Sequence, residues 1–354
     1  MIEIIEAELP LTDELLIEDF LDFMEVFNPI FYSLEEIPPR KARYQYLTTK
    51  STTSRSIYYL ARKEEMLVAQ GYLSINTVNE ERKNICYATV HVLPEYQHQG
   101  IGQQLVRIMV DKARELGIIT YRGRIIEVFG SNEAEVKYTL SWIEKCGGHL
   151  VDSSNIVRLL ASDLDVDALQ QQFVALSQKF PTVELQLISM KKYYERLLND
   201  DDYAALAVDY FNEATSLVPR GASSRKPVVD TVETAREKAK NIENNNWNNL
   251  TYMAWNRETK QYIGSSQVYY PVREKLTQVF TGLTAVRKAY WGRGLGKYLK
   301  LAMLQHLHSL GFDYLDTDNA DTNERMLAIN YKLGFRKVGM YHHVEGKFED
   351  LLGK

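Results

Sequence analysis

Two glycine-rich runs, each opening a helical pattern, are the residues of this chain best suited to chemistry. They are Tyr96-Gln97-His98-Gln99-Gly100-Ile101-Gly102 and Tyr290-Trp291-Gly292-Arg293-Gly294-Leu295-Gly296. A helix start leaves backbone N–H groups without intrahelical partners and carries partial positive charge. Glycine lets that backbone approach an anion with no Cβ in the way. A strand feeding such a turn can cradle a pyrophosphate, although a plain strand-to-helix turn has the same composition. Neither run has the Gly-Lys-Ser/Thr of a P-loop. A dinucleotide fingerprint is also excluded for the second run, because it follows three strands of an antiparallel meander instead of opening a first strand–helix unit.

The two runs belong to a repeat. At a spacing of 194 residues, Tyr96–Gly117 aligns without gaps on Tyr290–Gly311, with seven identities that include the glycines, Leu105 with Leu299 and Met109 with Met303. So long a period predicts a duplicated domain rather than a solenoid. Each copy reads as strand, helix, helix, three strands, the glycine-led helix, strand, helix, strand. Hydrophobic spacing predicts the first copy's leading helix over 13–27, with Thr12 as N-cap, and the second copy's over 193–211. The domains are expected at 1–164 and 183–354, joined by a helical linker over 165–182. Pro219–Pro227, with its glycine and three positive charges, is expected to be a flexible loop.

This order of elements resembles the GNAT superfamily of N-acetyltransferases, an α/β fold with a mixed sheet, here present as two tandem domains. The family's Gln/Arg-x-x-Gly-x-Gly/Ala signature matches Gln97 to Gly102; the second copy has Trp291 at the Gln/Arg position. A later segment also matches, with Asn319, Asn323 opening a helix, and Leu333-Gly334-Phe335 closing it. The tandem arrangement resembles mycothiol synthase and related bacterial proteins. The resemblance implies acetyl-CoA as cosubstrate, its pantetheine lying between the splayed fourth and fifth strands. Implied CoA-binding residues are Leu283, Thr284, Ala285 and Val286 on the fourth strand, and Trp291, Gly292, Arg293, Gly294, Leu295, Gly296 and Lys297 in the loop. Asn319, Asn323 and, in the first copy, Gln97, Gly100 and Gly102 complete the set.

Direct acetyl transfer to an amine needs a backbone N–H for the oxyanion, a base for the ammonium proton and an acid for the departing thiolate. Family members carry that acid as a tyrosine four residues before the glycine of Gly-Phe. Here the position is Asn330, which can donate a hydrogen bond but not a proton at neutral pH. Tyr331 stands about 100° further round the helix. In the first copy the position is Ile143, so that copy is expected to be structural or to bind CoA without catalysis. Asp316 and Asp318 are candidate bases or members of a solvated loop. Tyr269 and Tyr270 could flank the acceptor cleft, and His91 could face the first cleft or sit satisfied in the sheet. His306 and His308, two apart on a helix, make no metal pair, and no metal is expected.

Composition narrows partners. A net charge of -5 gives no general attraction for nucleic acid or anionic membrane. The two cysteines, Cys86 and Cys146, suit a reducing compartment, and no apolar run approaches a membrane span. These features predict a cytoplasmic protein, monomer or homodimer, acting on a small amine. Nine acidic and no basic residues between Glu3 and Glu25 could favour a cationic acceptor or simply form a solvated face, and the basic Arg220–Lys226 loop borders the second entrance. Two other functions stay open: an acyl-CoA-binding or sensing module without turnover, and transfer to a protein amine.

Overall fold

The first copy folds in the expected order of elements up to its last strand, the second does so with one helix more, and at the last strand both depart from the repeat. The computed structural model describes residues 2–35, 37–77, 84–218, 229–240, 247–272 and 276–352; the expected loop at Pro219–Pro227 lies outside them. Packing divides the chain into two units, residues 1–153 with 339–354, and residues 154–338.

In the first unit, β1 (Ile2–Glu8), β2 (Ser54–Lys63), β3 (Met66–Asn76) and β4 (Ile85–Val92) form an antiparallel meander, and β5 (Thr120–Val128) runs parallel to β4. Helices α1 (Glu14–Phe31) and α2 (Arg40–Thr48) precede β2, α3 (Ile101–Glu115) joins β4 to β5, and α4 (Glu133–Lys145) follows β5. The expected N-cap of α1 is off by one: Asp13, not Thr12, accepts from the Leu15 and Leu16 amides. A single oxygen of that carboxylate, Oδ1, accepts from both amides, at 3.0 and 3.2 Å.

In the second unit, β7 (Val183–Ser189), β8 (Trp247–Asn256), β9 (Gln261–Pro271) and β10 (Gln278–Val286) repeat the meander, with β11 (Tyr314–Ala320) parallel to β10. The linker helix α5 (Val166–Ser177) packs in this unit, where Leu169 is buried. The single helix expected over 193–211 is two, α6 (Met190–Asn199) and α7 (Asp201–Ser216). Asp200 breaks them, holding an extended backbone while its carboxylate caps the Tyr203 amide at 2.9 Å. Helix α8 (Val232–Lys240) precedes β8; α9 (Leu295–Leu310) and α10 (Glu324–Lys332) flank β11.

The closing strands are exchanged. From Ser154 to Leu160, β6 (His149–Leu160) pairs antiparallel with β11 in the second unit. From Gly339 to Lys347, β12 (Arg336–Lys347) pairs with β5 in the first. Charged contacts accompany both ladders. Arg158 on β6 makes two 2.7 Å bonds to the buried Asp316 on β11, which also accepts from Gln278 at 2.8 Å. On β12, Glu345 accepts from Arg122 at 2.7 Å, and His342 lies between Ser153 and Glu127. A buried carboxylate left without its cation is costly, so these pairs disfavour other partners. The matching residues of the repeat, Leu105 with Leu299 and Met109 with Met303, are all buried core residues of α3 and α9.

Candidate active site

In the second unit β10 and β11 pair only as far as Phe280 with Asp316, then part. Beyond that point, among the described residues, the β10 edge facing β11 has no partner strand, which leaves a gap between the two. On its other side, β10 carries a bulge between Thr281 and Thr284 against β9. Bulges re-aim the backbone and are frequent beside active sites. The bulged segment, with Gly282 and Leu283, precedes Thr284, Ala285 and Val286. Thr284 shares a 3.0 Å hydroxyl contact with Ser266, and the buried Tyr210 hydroxyl of α7 lies 2.9 Å from the Ala285 carbonyl and 2.8 Å from the Ser265 hydroxyl. Tyr210 thus orients the strand at the gap; it is one of 23 tyrosines, and nothing in its local sequence marks it.

The strand runs into the glycine loop. Gly292 has φ +74° and Gly294 φ +94°, a region that side chains other than glycine enter at a cost. The first rung of the α9 ladder is the Tyr298 amide on the Gly294 carbonyl. The amides of Leu295, Gly296 and Lys297 precede that rung, and so are free for an anion. A Cβ on Gly292 would meet nothing within 4 Å, and one on Gly296 would only touch Val286 and Ile329. The backbone at these two residues is open to close approach. Beside Gly294, Leu176 of α5 stands 3.1 Å from where a Cβ would be. The Arg293 guanidinium lies over the Tyr290 ring at 5.5 Å.

Trp291 explains its departure from the family signature. Its indole N–H donates to the Val286 carbonyl at 2.7 Å. In the first unit Gln97 donates to the Val92 carbonyl at 3.1 Å, and each residue of that pair lies 194 positions before its counterpart. Both side chains tie the loop back to the strand end rather than reaching for phosphate.

Helix α10 turns Asn330 inward and Tyr331 outward. Asn330 is fully buried and donates to Asn319 at 2.6 Å, and its own side-chain oxygen has no hydrogen-bond partner. Tyr331 is 46% exposed. Asn323 occupies the N-cap position of α10 but makes no side-chain cap bond, so capping does not account for it. Asp316 is neither a base in the cleft nor part of a solvated loop, since it is buried and held by Arg158 and Gln278. Asp318 is exposed. Tyr269 stacks on Phe280 and Tyr270 packs against the core below α9. His306 and His308 point to different surroundings, His306 beside Tyr252 and His308 exposed.

On the α9 face, at the point where β10 and β11 part, lies a small, partly open cleft lined by residues that include Ser266, Thr281, Lys300, Leu315 and Phe335. Lys300 is 5% exposed, and burial pushes its amine down to about 8. Its spacing from Gly296, Met303, Leu304 and Leu307 puts a charge on the apolar face of α9, a signal the sequence carried.

The first unit keeps the loop. His98 at φ +58° takes the conformation of Gly292, and Gly100 at φ +82° that of Gly294. Gly102 stands against Val92 and Val90, and the first rung of α3 is again the amide four residues beyond the left-handed glycine, Gln104 on Gly100. The rest differs. Strand β4 meets β3 without a bulge. Tyr121 pushes its phenol under Gly148 and Gly346, where added Cβ atoms would come within 2.3 and 2.5 Å of the oxygen. Ile143 is buried. His91 packs among Phe27, Phe31 and Tyr32, and burial lowers its pKa to about 4. Six of the nine carboxylates in the acidic run have ion-pair partners: Arg40 pairs with Glu18, Asp22 and Glu25, Arg62 with Asp19, Arg55 with Glu8 and Lys112 with Glu6.

Among the described residues, no helix is long and apolar enough to cross a membrane, and no three His, Cys, Asp or Glu side chains are grouped to hold a metal. Comparison with known proteins gives matches in each copy. A model of the acetyltransferase (GNAT) family matches residues 20–139, and a model of the acetyltransferase (GNAT) domain matches 196–336. A tandem GNAT protein from the clavulanic acid biosynthesis pathway aligns over 98% of this chain and 99% of its own, at 16% identity and TM-score 0.70. A GCN5-related N-acetyltransferase from Sphaerobacter thermophilus aligns over 98% and 96%, at 10% identity and TM-score 0.60. A fungal glucosamine N-acetyltransferase region, part of a multi-domain GH3 β-N-acetylglucosaminidase, aligns over 97% of this chain and 38% of that one, at 14% identity and TM-score 0.62. At such identities the likeness is one of fold. No curated protein sequence matches the chain.

Proposed function

Because the chain belongs to the acetyltransferase (GNAT) family, with a domain of that family in each half, we propose that it transfers an acetyl group from acetyl-CoA directly to the amine of a small molecule, in the second unit. The observation that carries this reading is the continuity of bulged β10, the β10–β11 gap and the loop of free amides at Leu295–Lys297. The loop amides would hold the pyrophosphate and the gap would take the pantetheine. The backbone of Leu283–Val286 would stabilise charge developing on the acetyl oxygen.

Asn319, Asn323 and Asn330 would line the thioester end. Asn330 is the hydrogen-bonding group there, and Tyr331 is the phenol nearest on the helix for proton transfer. The first unit, with its loop intact and Tyr121 and Ile143 filling the interior, would bind CoA without turnover. The buried, unpaired Cys86 and Cys146 support a cytoplasmic site of action. The mycothiol-synthase-like subtype rests on tandem organisation alone.

Release of free CoA thiol from acetyl-CoA is the test, with a panel of small amines that includes amino sugars, since one structural neighbour is a glucosamine N-acetyltransferase region. Turnover that disappears with Gly294→Val supports the reading; unchanged CoA affinity in that variant removes the loop assignment. Tyr331→Phe should lower the rate and alter its pH profile if the phenol delivers the proton. The inward Asn330, where family members carry a tyrosine, favours a second reading as an acyl-CoA-binding module. Tight CoA binding with no turnover on any amine or protein acceptor would select it.

A further inference from the structure

Lys300 is the buried cation of the second unit that the acetyl-transfer reading leaves unused. Among the described residues it has no ion-pair partner. Its ammonium instead lies 5.7 Å from the Phe335 ring centroid. A buried ammonium without an anion is costly, and cation–π contact offsets only part of that cost. Close by, the Thr281 hydroxyl is buried with no hydrogen-bond partner. Both groups line the same small, partly open cleft, among Val268, Met303, Leu315 and Leu333. Two unsatisfied donors in one apolar cleft call for an acceptor carrying negative charge.

The position of the cleft says where that charge comes from. Leu315 pairs with Val279 at the root of the β10–β11 gap, and Thr281 is the first residue of β10 beyond its last contact with β11. A pantetheine arm lying in the gap would bring its acyl group there. The cleft opens on the α9 side of the sheet, where Val268, Val279 and Leu304 pack, whereas Leu283 and Ala285 face α7 on the other side. A carboxylate on the acyl group fits this side better than one on an acceptor approaching past α7. The first unit has no such arrangement: the residue 194 positions before Lys300 is Val106, packed in the core, and the one before Leu315 is Tyr121.

We propose, resting on the CoA-binding reading above, that the second unit takes CoA thioesters whose acyl group ends in a carboxylate, with Lys300 pairing with that carboxylate and Thr281 donating to it. An acetyl methyl would leave both donors unmatched.

Calorimetric titration with succinyl-CoA, butyryl-CoA, acetyl-CoA and free succinate tests this. The second site is identified as the one Gly294→Val removes. Succinyl-CoA should bind it at least about tenfold more tightly than butyryl-CoA, which has the same chain length but no charge. Lys300→Met, close in volume, should abolish the preference while keeping acetyl-CoA affinity, and Thr281→Val should reduce it. Equal affinity for succinyl-CoA and butyryl-CoA, or a preference that survives Lys300→Met, overturns the proposal and leaves the CoA site standing. Free succinate matching succinyl-CoA in its dependence on Lys300 overturns the acyl origin of the charge. Binding of no thioester, CoA included, overturns the loop assignment and this proposal together.

Discussion

At the scale of single residues, Trp291 and Gln97 show how two different side chains do one task. Each places an N–H on the carbonyl that ends the fourth strand of its copy, at 2.7 and 3.1 Å, and so fixes where the loop begins. The expected outcome is that Trp291→Phe, which keeps the ring but loses the donor, costs about 1 kcal/mol and weakens CoA binding. Trp291→Gln should recover most of both, as read by urea unfolding and calorimetry. His91 bears on stability instead. Its pKa falls from 6.5 to about 4 in the aromatic cluster, so below pH 6.5 the unfolded chain binds a proton that the folded chain refuses. Stability from this group is complete above about pH 6.5 and is lost as pH falls toward 4. With the ring partly exposed, the loss should reach roughly 2 kcal/mol. Unfolding midpoints at pH 7.5 and 4.5 measure it, and His91→Phe should flatten that part of the pH dependence.

Elements decide what these residues can reach. The 3.6-residue turn of α10 carries Asn330 inward and leaves Tyr331 at the surface, so one position in sequence separates a buried amide from an exposed phenol. The β10 bulge and the early parting of β10 from β11 make the gap, and both depend on register, which no local pattern fixes. The Arg158–Asp316 pair belongs to this scale, because it joins β6 to β11 across the strands. Asp316→Ala should destabilise the second unit by about 2–3 kcal/mol, because Arg158 and Gln278 lose the buried carboxylate they share. Replacing both residues with leucine should restore much of that loss. A single alanine variant with an unchanged unfolding midpoint would contradict the role assigned to the pair.

At the scale of the molecule, the two copies are not two independent domains. Residues 339–354 complete the first unit, and residues 154–160 belong to the second. A chain ending at Val338 should therefore expose the β5 edge from Thr120 to Val128, with Arg122 and Glu127 stripped of Glu345 and His342. Exposed strand edges invite association. The truncated protein is expected to lose the cooperative unfolding of the first unit and to aggregate, by calorimetry and light scattering. A truncated chain that stays monomeric and unfolds like the full chain would mean that β12 contributes little to the first unit.

Local sequence set the duplication, most of the order of elements and the two glycine-led loops. Those features are written in local patterns: glycines that alone enter the left-handed region cheaply at Gly292 and Gly294, and apolar spacing that buries Leu105, Leu299, Met109 and Met303. Lys300 is legible in the same way, as a charge on the apolar face of α9. Tertiary structure alone decided the rest. Asp316 reads as a loop carboxylate until Arg158, 158 positions earlier, closes on it. Each closing strand directly follows its own copy's last helix in the chain, so the sequence assigned each to its own copy. Only long-range pairing, between residues far apart in the chain, exchanged them.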